Sequence, residues 1–385
     1  MQIDQVKPCL ICEESCLHNV EGFTSLPRIT SDCRPYVAGG QLFICGKCDS
    51  IQKNPNDRWL EEISQIYSDY SAYSLAGGEE QLVLDAETGQ PQKRSEVIMR
   101  QLQRTGLLPK YGNLIDVGCG HGVTLKAMSV MFPNWKLFGH ELGDGSEIEL
   151  HAIRGFQRLY KGNLDQINEK FDFISMIHSL EHFVDPLATL KTLRDKLKNG
   201  SYLFVQVPNV EENYFDLLVA DHLTHFSTTT LEELVKRAGF QIIKISTDWI
   251  KKELSLLAFK SLEKDSIETI DASKIKKDTV TVQEKLNWLK KLIIQAEESA
   301  LIGVSFGLFG TSIASTWLAS VLSDRVEFFV DEDPNRIGKF YMGRQVLAPS
   351  DVPSKATVFI PLAYTLAISI KERLKGLNIK IILPE

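Results

Sequence analysis

The stretch NLIDVGCGHGVTLKAM at 113–128 decides the fold of this chain. The apolar run NLIDV is typical of a buried β-strand, and it is followed at once by Gly118, Gly120 and Gly122. Apolar residues then recur at helical spacing as far as Met128. A strand, a glycine turn and a helix in this order let the backbone approach a ligand at the helix N-terminus. The sequence therefore predicts an α/β fold with a cofactor crevice at this turn.

The spacing of the glycines separates this turn from that of nicotinamide-binding enzymes. The pattern here is Asp-x-Gly-x-Gly-x-Gly, beginning at Asp116, whereas the dinucleotide fingerprint is Gly-x-Gly-x-x-Gly. DVGCGHG instead resembles motif I of the class I S-adenosylmethionine-dependent methyltransferases. The resemblance implies a central Rossmann-like domain that binds S-adenosylmethionine, with Asp116, Gly118 and Gly120 at the cofactor.

Five downstream segments resemble the other parts of that fold in order and spacing. They are KLFGHELG at 136–143, KGNLDQI at 161–167, FDFISMIHSLEH at 171–182, SYLFVQVPN at 201–209 and HFSTTTLEELVKRAGFQII at 225–243. The resemblance implies that Glu141 holds the two ribose hydroxyls, since one carboxylate can accept both hydrogen bonds. It also implies that Asn163 and Leu164 lie beside the adenine. His178 is expected near the methionine end of the cofactor.

Histidines suited to proton transfer collect between positions 178 and 227. His182 ends the segment HSLEH, and His222 and His225 stand three apart in DHLTHFS. Methylation of a hydroxyl, or of a carbon next to a carbonyl, requires removal of a proton, and imidazole suits that role near neutral pH. We expect His222 to be the catalytic base, with His182 and His225 as alternatives. Asp221 is expected to orient a neighbour, although packing or capping would also explain each of these residues.

Six of the seven cysteines fall within the first 48 residues. Cys9 and Cys12 form one Cys-x-x-Cys knuckle, and Cys45 and Cys48 form another. Four thiolates at this spacing predict a closed tetrahedral Zn²⁺ site, in which the metal does the work of a hydrophobic core. The alternative ligands are Cys16, Cys33 and His18. RNA binding and redox chemistry are alternatives to a structural role, but the segment carries little positive charge.

The linker that follows carries tyrosines at regular spacing. Tyr67, Tyr70 and Tyr73 stand three apart, so on a helix they would share one face. They either pack against the neighbouring domain or place one ring in a substrate pocket.

The last part of the chain repeats the pattern of strand, glycine turn and helix. GVSFGLFGTSIASTWLASVL at 303–322 has Gly307 and Gly310 at the turn, and VEFFVDEDPN at 326–335 follows as a strand ending in acids. We expect a smaller Rossmann-like α/β domain here. Two uses remain open: the glycines cradle a phosphate of the acceptor, or the domain only shapes the cleft.

The order of these parts resembles the three-domain, zinc-containing sugar C-methyltransferases that act on nucleotide-linked 4-keto-deoxysugars. Those enzymes carry a Tyr-x-Glu-His motif, with the histidine as candidate base and the tyrosine assisting at the enolate. The aligned residues here are Val219, Ala220, Asp221 and His222, so the tyrosine is missing. The resemblance implies His182 as the second active-site histidine and Tyr70 or Tyr73 as the substrate tyrosine. C-methylation of a sugar is expected, with sugar O-methylation and other acceptors, RNA included, as alternatives.

These features divide the 385 residues into five segments. The prediction is a zinc-binding module at 1–58, a helical linker at 59–108, the methyltransferase domain at 109–250, connecting helices at 251–300 and the C-terminal domain at 301–385.

Composition limits the partners of the chain. Hydrophobic residues make up 43% and charged residues 24%, and the formal net charge is −7. No apolar run approaches the length of a membrane span, and a global basic surface for nucleic acid is absent from the sequence. MQIDQVKPCL lacks the basic and apolar regions of a secretory signal. We therefore expect a cytoplasmic enzyme with a small sugar or nucleotide-sugar substrate and no membrane partner, and nucleic acid is the less favoured alternative.

Overall fold

The structure is a computed structural model of the chain. It describes residues 6–68, 70, 80, 82–84, 91–143, 147–261, 280–302, 304–362 and 364–385. These residues form sheets of four, seven and six strands together with two short hairpins. Within these ranges, no helix has both the length and the apolar composition needed to cross a bilayer.

The amino-terminal part is built from short strands. Its elements are β1 (Leu17–Asn19), β2 (Arg28–Ile29), β3 (Pro35–Tyr36), β4 (Leu42–Cys45), β5 (Ile51–Lys53) and α1 (Asp57–Ser68). β1, β4 and β5 are antiparallel neighbours, and β2 pairs with β3. The buried Arg28 on β2 donates two hydrogen bonds to Glu62 on α1, at 2.8 and 3.2 Å. This two-pronged pair ties α1 to the strands.

The linker and the central part alternate between strands and helices. Their elements are β6 (Leu82–Leu84), β7 (Pro91–Lys93), α2 (Arg94–Arg104), β8 (Gly112–Val117), α3 (Val123–Met131), β9 (Trp135–Glu141), α4 (Glu147–His151), β10 (Phe156–Lys161), β11 (Phe171–Ile177), α5 (Pro186–Lys196), β12 (Leu197–Pro208), β13 (Thr224–His225), α6 (Thr228–Arg237), β14 (Gln241–Ser246) and β15 (Glu253–Phe259). Asp185 caps the N-terminus of α5, and its carboxylate accepts a hydrogen bond from the Ala188 N–H at 2.8 Å.

The central sheet has the strand order β10-β9-β8-β11-β12-β15-β14. The strands from β10 to β12 are parallel, and β15 is antiparallel to both of its neighbours. The predicted α/β, Rossmann-like architecture of this domain is confirmed. The prediction lacks β15, and the sheet continues to Phe259, past the expected boundary at 250. A hairpin of β14 and β15 inserts its second strand beside β12, which sequence order alone does not reveal.

One loop joins the central domain to the amino-terminal part. β13 pairs antiparallel with β5 and becomes the fourth strand of the amino-terminal sheet. The Ala220 N–H donates to the Ile29 carbonyl at 2.7 Å, and the Lys53 N–H donates to the Leu223 carbonyl at 2.8 Å. The loop that carries His222 is therefore held by strands of the cysteine-containing part.

The carboxy-terminal part forms a second, smaller sheet. Its elements are α7 (Val282–Ala300), β16 (Phe306–Phe309), α8 (Ile313–Leu322), β17 (Phe328–Val330), β18 (Phe340–Tyr341), β19 (Arg344–Leu347), β20 (Thr357–Phe359), α9 (Tyr364–Arg373) and β21 (Lys380–Ile382). The strand order is β18-β19-β17-β16-β20-β21, and the neighbours are parallel except β18 and β19. α8 contacts β2 and β3, and the buried Trp317 donates its indole N–H to the Pro27 carbonyl at 2.9 Å. This sheet thus abuts the amino-terminal part.

Candidate active site

The glycine turn after β8 lies in the left-handed region of backbone space. Gly118, Gly120 and Gly122 have φ values of 77°, 47° and 74°. A Cβ on Gly118 would lie 2.6 Å from the Cβ of Ser179, and one on Gly122 would lie 2.5 Å from Leu150. A Cβ on Gly120 would meet nothing within 4 Å. The outer glycines therefore allow close packing, while the middle one borders open space at the N-terminus of α3.

Glu141 lies across this crevice at the end of β9. Its Oε2 accepts the Gly120 N–H at 2.9 Å, and its Oε1 accepts the Leu142 N–H at 2.8 Å. Asp116 lies beneath the turn, only 2% exposed, and accepts a hydrogen bond from Ser175 Oγ at 2.6 Å. Burial raises the pKa of Asp116 to about 7, against the hydrogen bonds from Ser175 and Thr124. Asp116 therefore supports the turn from inside the sheet, whereas Glu141 borders the crevice.

Asn163 and Leu164 follow β10, next to the strand that carries Glu141. The Asn163 side chain accepts the Asp165 N–H at 3.1 Å and caps a short 3₁₀ helix, Leu164–Gln166. Leu164 is buried, and Asn163 is exposed. Both residues lie at the edge of the sheet where the sequence predicts the adenine.

His178 follows β11 and has an unusual backbone, with φ of 50°. Its Nδ1 lies 3.4 Å from Glu181 and its Nε2 lies 3.2 Å from Glu253. Burial opposes the charge on the ring, but the carboxylates of Glu253 and Glu181 outweigh it and raise the pKa of His178 to about 9. Within the described residues, Ser179 Oγ has no hydrogen-bond partner, and the buried Glu181 makes no hydrogen bond beyond its ion pair with His178. Unpaired polar groups of this kind favour a ligand site.

His182 and His222 meet edge to face, with ring centroids 4.7 Å apart. His182 Nδ1 lies 2.9 Å from the Asp221 carbonyl oxygen and 3.0 Å from Tyr67 Oη. A carbonyl can only accept, so Nδ1 carries the ring proton and donates it to Asp221. Tyr67 Oη then acts as an acceptor toward His182, and its own hydrogen stays available. Burial and the neighbouring His222 lower the pKa of His182.

His222 and His225 share one carboxylate. Asp216 Oδ1 lies 2.6 Å from His222 Nδ1, and Asp216 Oδ2 lies 2.7 Å from His225 Nδ1. Burial works against the charge of Asp216, but the two imidazoles hold its pKa well below the ordinary range. Burial also acts to lower the pKa of His222, yet Asp216 outweighs it and the pKa is raised.

His225 differs from His222 at its second ring nitrogen. His225 Nε2 lies 3.3 Å from Nζ of Lys53, which is 1% exposed. Lys53 Nζ also donates to the carbonyls of His222, at 2.6 Å, and Val219. Burial and Lys53 lower the pKa of His225 to about 4, and burial lowers that of Lys53 to about 7. The geometry does not favour the expectation that His225 is an alternative base, because Lys53 occupies its free nitrogen.

Asp221 is fully buried and is held by the amino-terminal part. Its Oδ1 accepts the Ser31 N–H at 2.8 Å, and its Oδ2 accepts Ser31 Oγ at 2.5 Å and lies 3.5 Å from His182 Nδ1. This position suits the predicted orienting role. Tyr70 Oη lies 3.4 Å from Ser31 Oγ, and Tyr73 is outside the described residues. The tyrosine in contact with His182 is Tyr67, which the sequence analysis did not select.

The four predicted zinc ligands come together. Cys9 Sγ lies 3.6 Å from Cys48 Sγ, Cys12 Sγ lies 3.5 Å from Cys45 Sγ, and all four sulfurs lie within 4.8 Å of one another. A disulfide needs about 2.05 Å, whereas Zn–S bonds of about 2.3 Å in a tetrahedron space the sulfurs about 3.8 Å apart. Cys16 Sγ also lies 3.6 Å from Cys45 Sγ. Cys33 lies away from this group, where its carbonyl accepts Tyr341 Oη at 3.0 Å.

Of the two glycines predicted at the second turn, Gly307 lies within β16 and Gly310 follows that strand. A Cβ on Gly307 would lie 2.2 Å from the ring of Phe328, so this glycine serves packing. Thr311 Oγ1 donates to Asp331 at 2.9 Å and accepts from Arg336 at 2.8 Å. The expectation that Gly307 cradles a phosphate therefore does not hold, because an aromatic ring covers it.

The functional residues missed from sequence are Lys53, Tyr67 and Asp216. Asp216 had one usable signal, because an acid within the apolar run YFDLL has to be buried with a partner. No signal in the sequence indicated Lys53, since its position beside His225 depends on the pairing of β5 with β13.

Residues 92–245 match the protein family described as "Methyltransferase domain". The tRNA U34 carboxymethyltransferase of Alteromonas mediterranea is 28% identical to this chain, over 34% of the chain and 46% of that protein. The chain thus spans about half the length of this curated relative. The central domain is an S-adenosylmethionine-dependent methyltransferase domain.

Two solved methyltransferase structures are similar to parts of the chain. One from Clostridium acetobutylicum has 12% identity and a TM-score of 0.36, and the match covers 53% of this chain and 98% of its own. One from Mesorhizobium loti has 14% identity and a TM-score of 0.36, and the match covers 43% of this chain and 98% of its own.

Proposed function

We propose that this chain transfers the methyl group of S-adenosylmethionine to a nucleotide-linked sugar, at a carbon next to a keto group. The proposal depends on one observation, the contact between the glycine turn and the histidine cluster. Gly118 packs on Ser179, and the His182 N–H donates to the Ser179 carbonyl at 3.1 Å. His182 in turn contacts His222. His182 thus lies one turn of chain from Ser179 at the cofactor crevice, and His222 lies against His182, so a base is close to the crevice, as methyl transfer from a bound donor requires.

The crevice fits S-adenosylmethionine in shape and in chemistry. The space above Gly120 admits a ligand close to the backbone, and Glu141 offers a carboxylate to the ribose hydroxyls. Asn163 and Leu164 would border the adenine, and His178 and Ser179 would border the methionine. The bound cofactor supplies a methyl group on a sulfonium sulfur, which leaves as a neutral thioether.

His222 is our first choice for the base. The proton of the acceptor carbon passes to His222 Nε2, and the electron pair left on that carbon moves toward the keto oxygen to give an enolate. The enolate carbon then forms the bond to the methyl group, while the electrons of the carbon–sulfur bond remain on sulfur. Asp216 supports the positive charge that forms on the ring, since a charged hydrogen bond strengthens as the charge develops.

Tyr67 replaces the tyrosine missing at position 219. Its hydroxyl hydrogen is not needed by His182, so it can donate to the enolate oxygen. Burial raises the pKa of Tyr67 well above its ordinary value, so the hydroxyl stays protonated at neutral pH and can act as this donor. This supports C-methylation over O-methylation of a sugar hydroxyl, which would need only the base.

A Zn²⁺ ion held by Cys9, Cys12, Cys45 and Cys48 is part of the proposal. Four cysteine ligands leave no open position for chemistry, so the ion would be structural. The second knuckle leads directly into β5, which holds the loop of His222 through β13. The metal would therefore stabilise β5 and, through the pairing of β5 with β13, the loop that carries His222. A zinc assay of the purified protein should give one ion per chain, with Cys12→Ser and Cys48→Ser lowering that value and Cys119→Ser leaving it unchanged.

RNA is the second candidate acceptor, because the curated relative is named as acting on tRNA. The net charge of −7 argues against a large phosphate-binding surface. Labelled cofactor should be incubated with nucleotide-linked keto sugars, with the corresponding hydroxy sugars and with total tRNA. Transfer to keto sugars alone supports the proposal, whereas salt-sensitive transfer to tRNA alone would replace it.

C-methylation is tested by solvent exchange at the acceptor carbon. In deuterated water, the hydrogen next to the ketone should exchange without methyl transfer. Exchange should be lost in His222→Ala, be slowed about tenfold to a hundredfold in Tyr67→Phe, and survive in His151→Ala, which lies on exposed α4. Methylation without any exchange would favour the hydroxyl as acceptor.

A further inference from the structure

Asp216 is placed to act on two histidines at once. It lies on a short 3₁₀ helix, Tyr214–Leu218, and is 2% exposed. Each carboxylate oxygen meets a different Nδ1, at 2.6 Å for His222 and 2.7 Å for His225. An ionised carboxylate only accepts hydrogen bonds, so both Nδ1 atoms must carry protons. The remaining nitrogen of each ring is therefore Nε2.

Lys53 lies at the other end of this series of hydrogen bonds, next to His225. Its Nζ has three acceptors, the carbonyls of Val219 and His222 and the Nε2 of His225. An ammonium group has three hydrogens, one for each, whereas a free amine would leave one acceptor without a donor. His225 Nε2 is thus an acceptor and His225 is neutral. Of the two rings on Asp216, only that of His222 keeps its Nε2 free of Lys53.

We infer that Lys53, His225 and Asp216 form a buried relay of positioning residues that holds His222 with Nδ1 protonated and Nε2 ready to accept a proton. The assignment of His222 as base rests on the proposed function, but the relay itself is a statement about hydrogen bonds. The ammonium of Lys53 and the carboxylate of Asp216 cancel each other through the neutral His225. A buried pair with every donor and acceptor matched is tolerated, while either partner alone would be costly.

Other charged groups around His222 modify this relay. The His182 ring packs on it at 4.7 Å, and Glu181 belongs to the same close group of side chains. Asp221 is the neighbouring residue, and its carboxylate is already held by Ser31. Asp216 is the residue that bonds the His222 ring directly, so removing its charge should affect His222 more than changes at these neighbours do.

The relay can be tested without knowing the acceptor. Protein labelled with ¹⁵N in histidine would be titrated by NMR, with and without S-adenosylmethionine. In the unmodified protein, His222 and His225 should both show a protonated Nδ1, and His225 should stay neutral down to about pH 5. In Asp216→Asn the pKa of His222 should fall by about one unit, since a charge-assisted bond is replaced by a neutral one. Asp248→Asn, at an exposed position, is the control.

Activity supplies the second measurement. Asp216→Asn should lower kcat about 10²- to 10⁴-fold, with KM for the acceptor and Kd for S-adenosylmethionine within about twofold, and should shift the acidic limb of the pH profile, on which His222 loses its proton, to lower pH. Lys53→Met should have the same direction and a smaller effect, about tenfold. Urea unfolding of each variant identifies any loss that comes from instability.

The outcomes separate the relay from the proposed function. An unprotonated Nδ1 on His222 in the unmodified protein would overturn the relay, even if the variants fail to fold. So would an unchanged His222 titration in a folded Asp216→Asn protein. If the NMR result holds but no sugar is methylated, the relay stands and the acceptor assignment is wrong.

Discussion

The central and the carboxy-terminal sheets each carry a glycine turn at the carboxyl end of a parallel strand, which is called the central edge and the carboxy-terminal edge below. The surroundings of the two turns differ. At the central edge, the space above Gly120 is open, and Ser179 and Glu181 keep polar atoms without hydrogen-bond partners among the described residues. At the carboxy-terminal edge, the Gly310 N–H donates to the Val330 carbonyl at 2.6 Å, and Thr311 bridges Asp331 and Arg336. The central edge has room for a ligand above Gly120, whereas at the carboxy-terminal edge Arg336 is held in ion pairs with Asp331 and Asp333, although its buried Nε makes no hydrogen bond within the described residues.

This difference shows that a glycine after a strand has two physical uses. Gly120 keeps a crevice open, whereas Gly307 makes room for the ring of Phe328 inside the fold. Spacing in the sequence does not distinguish the two, because both glycines occur in the same pattern of strand, glycine turn and helix. What distinguishes them is whether the neighbour is a side chain of the same sheet or open space.

The largest effect is expected from filling the open space above Gly120 at the central edge. Gly120→Val should lower the affinity for S-adenosylmethionine more than about 100-fold, because a branched side chain fills the crevice and strains a residue with φ of 47°. Gly310→Val, with φ of 85°, carries similar strain at the other edge and should leave that affinity unchanged. Calorimetric titration measures both. Equal losses in the two variants would mean that strain, and not the crevice, is responsible.

The next effect is expected at Gly307 in the carboxy-terminal sheet. Gly307→Ala should lower the free energy of unfolding by about 1–3 kcal/mol, because its Cβ would lie 2.2 Å from the Phe328 ring. Urea unfolding gives the value, and Phe328→Leu in the same chain should recover part of it. Cofactor affinity should not change. A fully stable Gly307→Ala protein would contradict the packing role.

A smaller effect tests the ionised group at the open edge. The pKa of His178 is raised from 6.5 to about 9, so its charge stabilises the folded state below pH 6.5 and this contribution disappears as the pH rises through 9. His178→Asn, which tolerates the positive φ, removes the contribution. The stability gap between the two proteins should be at most about 3 kcal/mol at pH 6 and close to zero at pH 10. A gap independent of pH would show that packing alone explains His178.

The smallest effect is expected from Arg336. The side chain is paired with Asp331 at 3.6 Å and with Asp333 at 3.5 Å, so little of its charge is left for a phosphate. Arg336→Met should change the affinity for a nucleoside diphosphate less than about twofold by calorimetry. A tenfold loss of this affinity would show that Arg336 binds phosphate. The carboxy-terminal edge would then be a ligand site like the central one.

The relative positions of the predicted cofactor residues could be read from the sequence because they depend on local order. Gly118 and Gly120 follow β8 and Glu141 ends the neighbouring β9, and parallel strands in a doubly wound sheet bring their ends to one edge. Asp116 was expected at the cofactor, but burial places it under the turn. The clustering of the four cysteines could also be predicted, because two Cys-x-x-Cys knuckles supply four sulfur atoms. The cytoplasmic location stays a prediction.

The acceptor side could be predicted only in part. The sequence indicated His182, His222 and Asp221 but ranked His225 with them, because a histidine in a polar segment gives no sign of what occupies its second nitrogen. Tyr67 was passed over for Tyr70 and Tyr73, since three tyrosines at equal spacing are equivalent until a partner is known.

The sequence by itself determined the central sheet, its glycine turn and the cysteine cluster, because each follows from residues close together in the chain or from a repeated spacing. Only the tertiary structure decided the hydrogen-bonding state of the histidines. Asp216 and Lys53 reach them from elements that meet through the pairing of β5 with β13 and the folding of the 214–218 segment. The state of a buried ring depends on which donors and acceptors surround it in space, and those come from all parts of the chain.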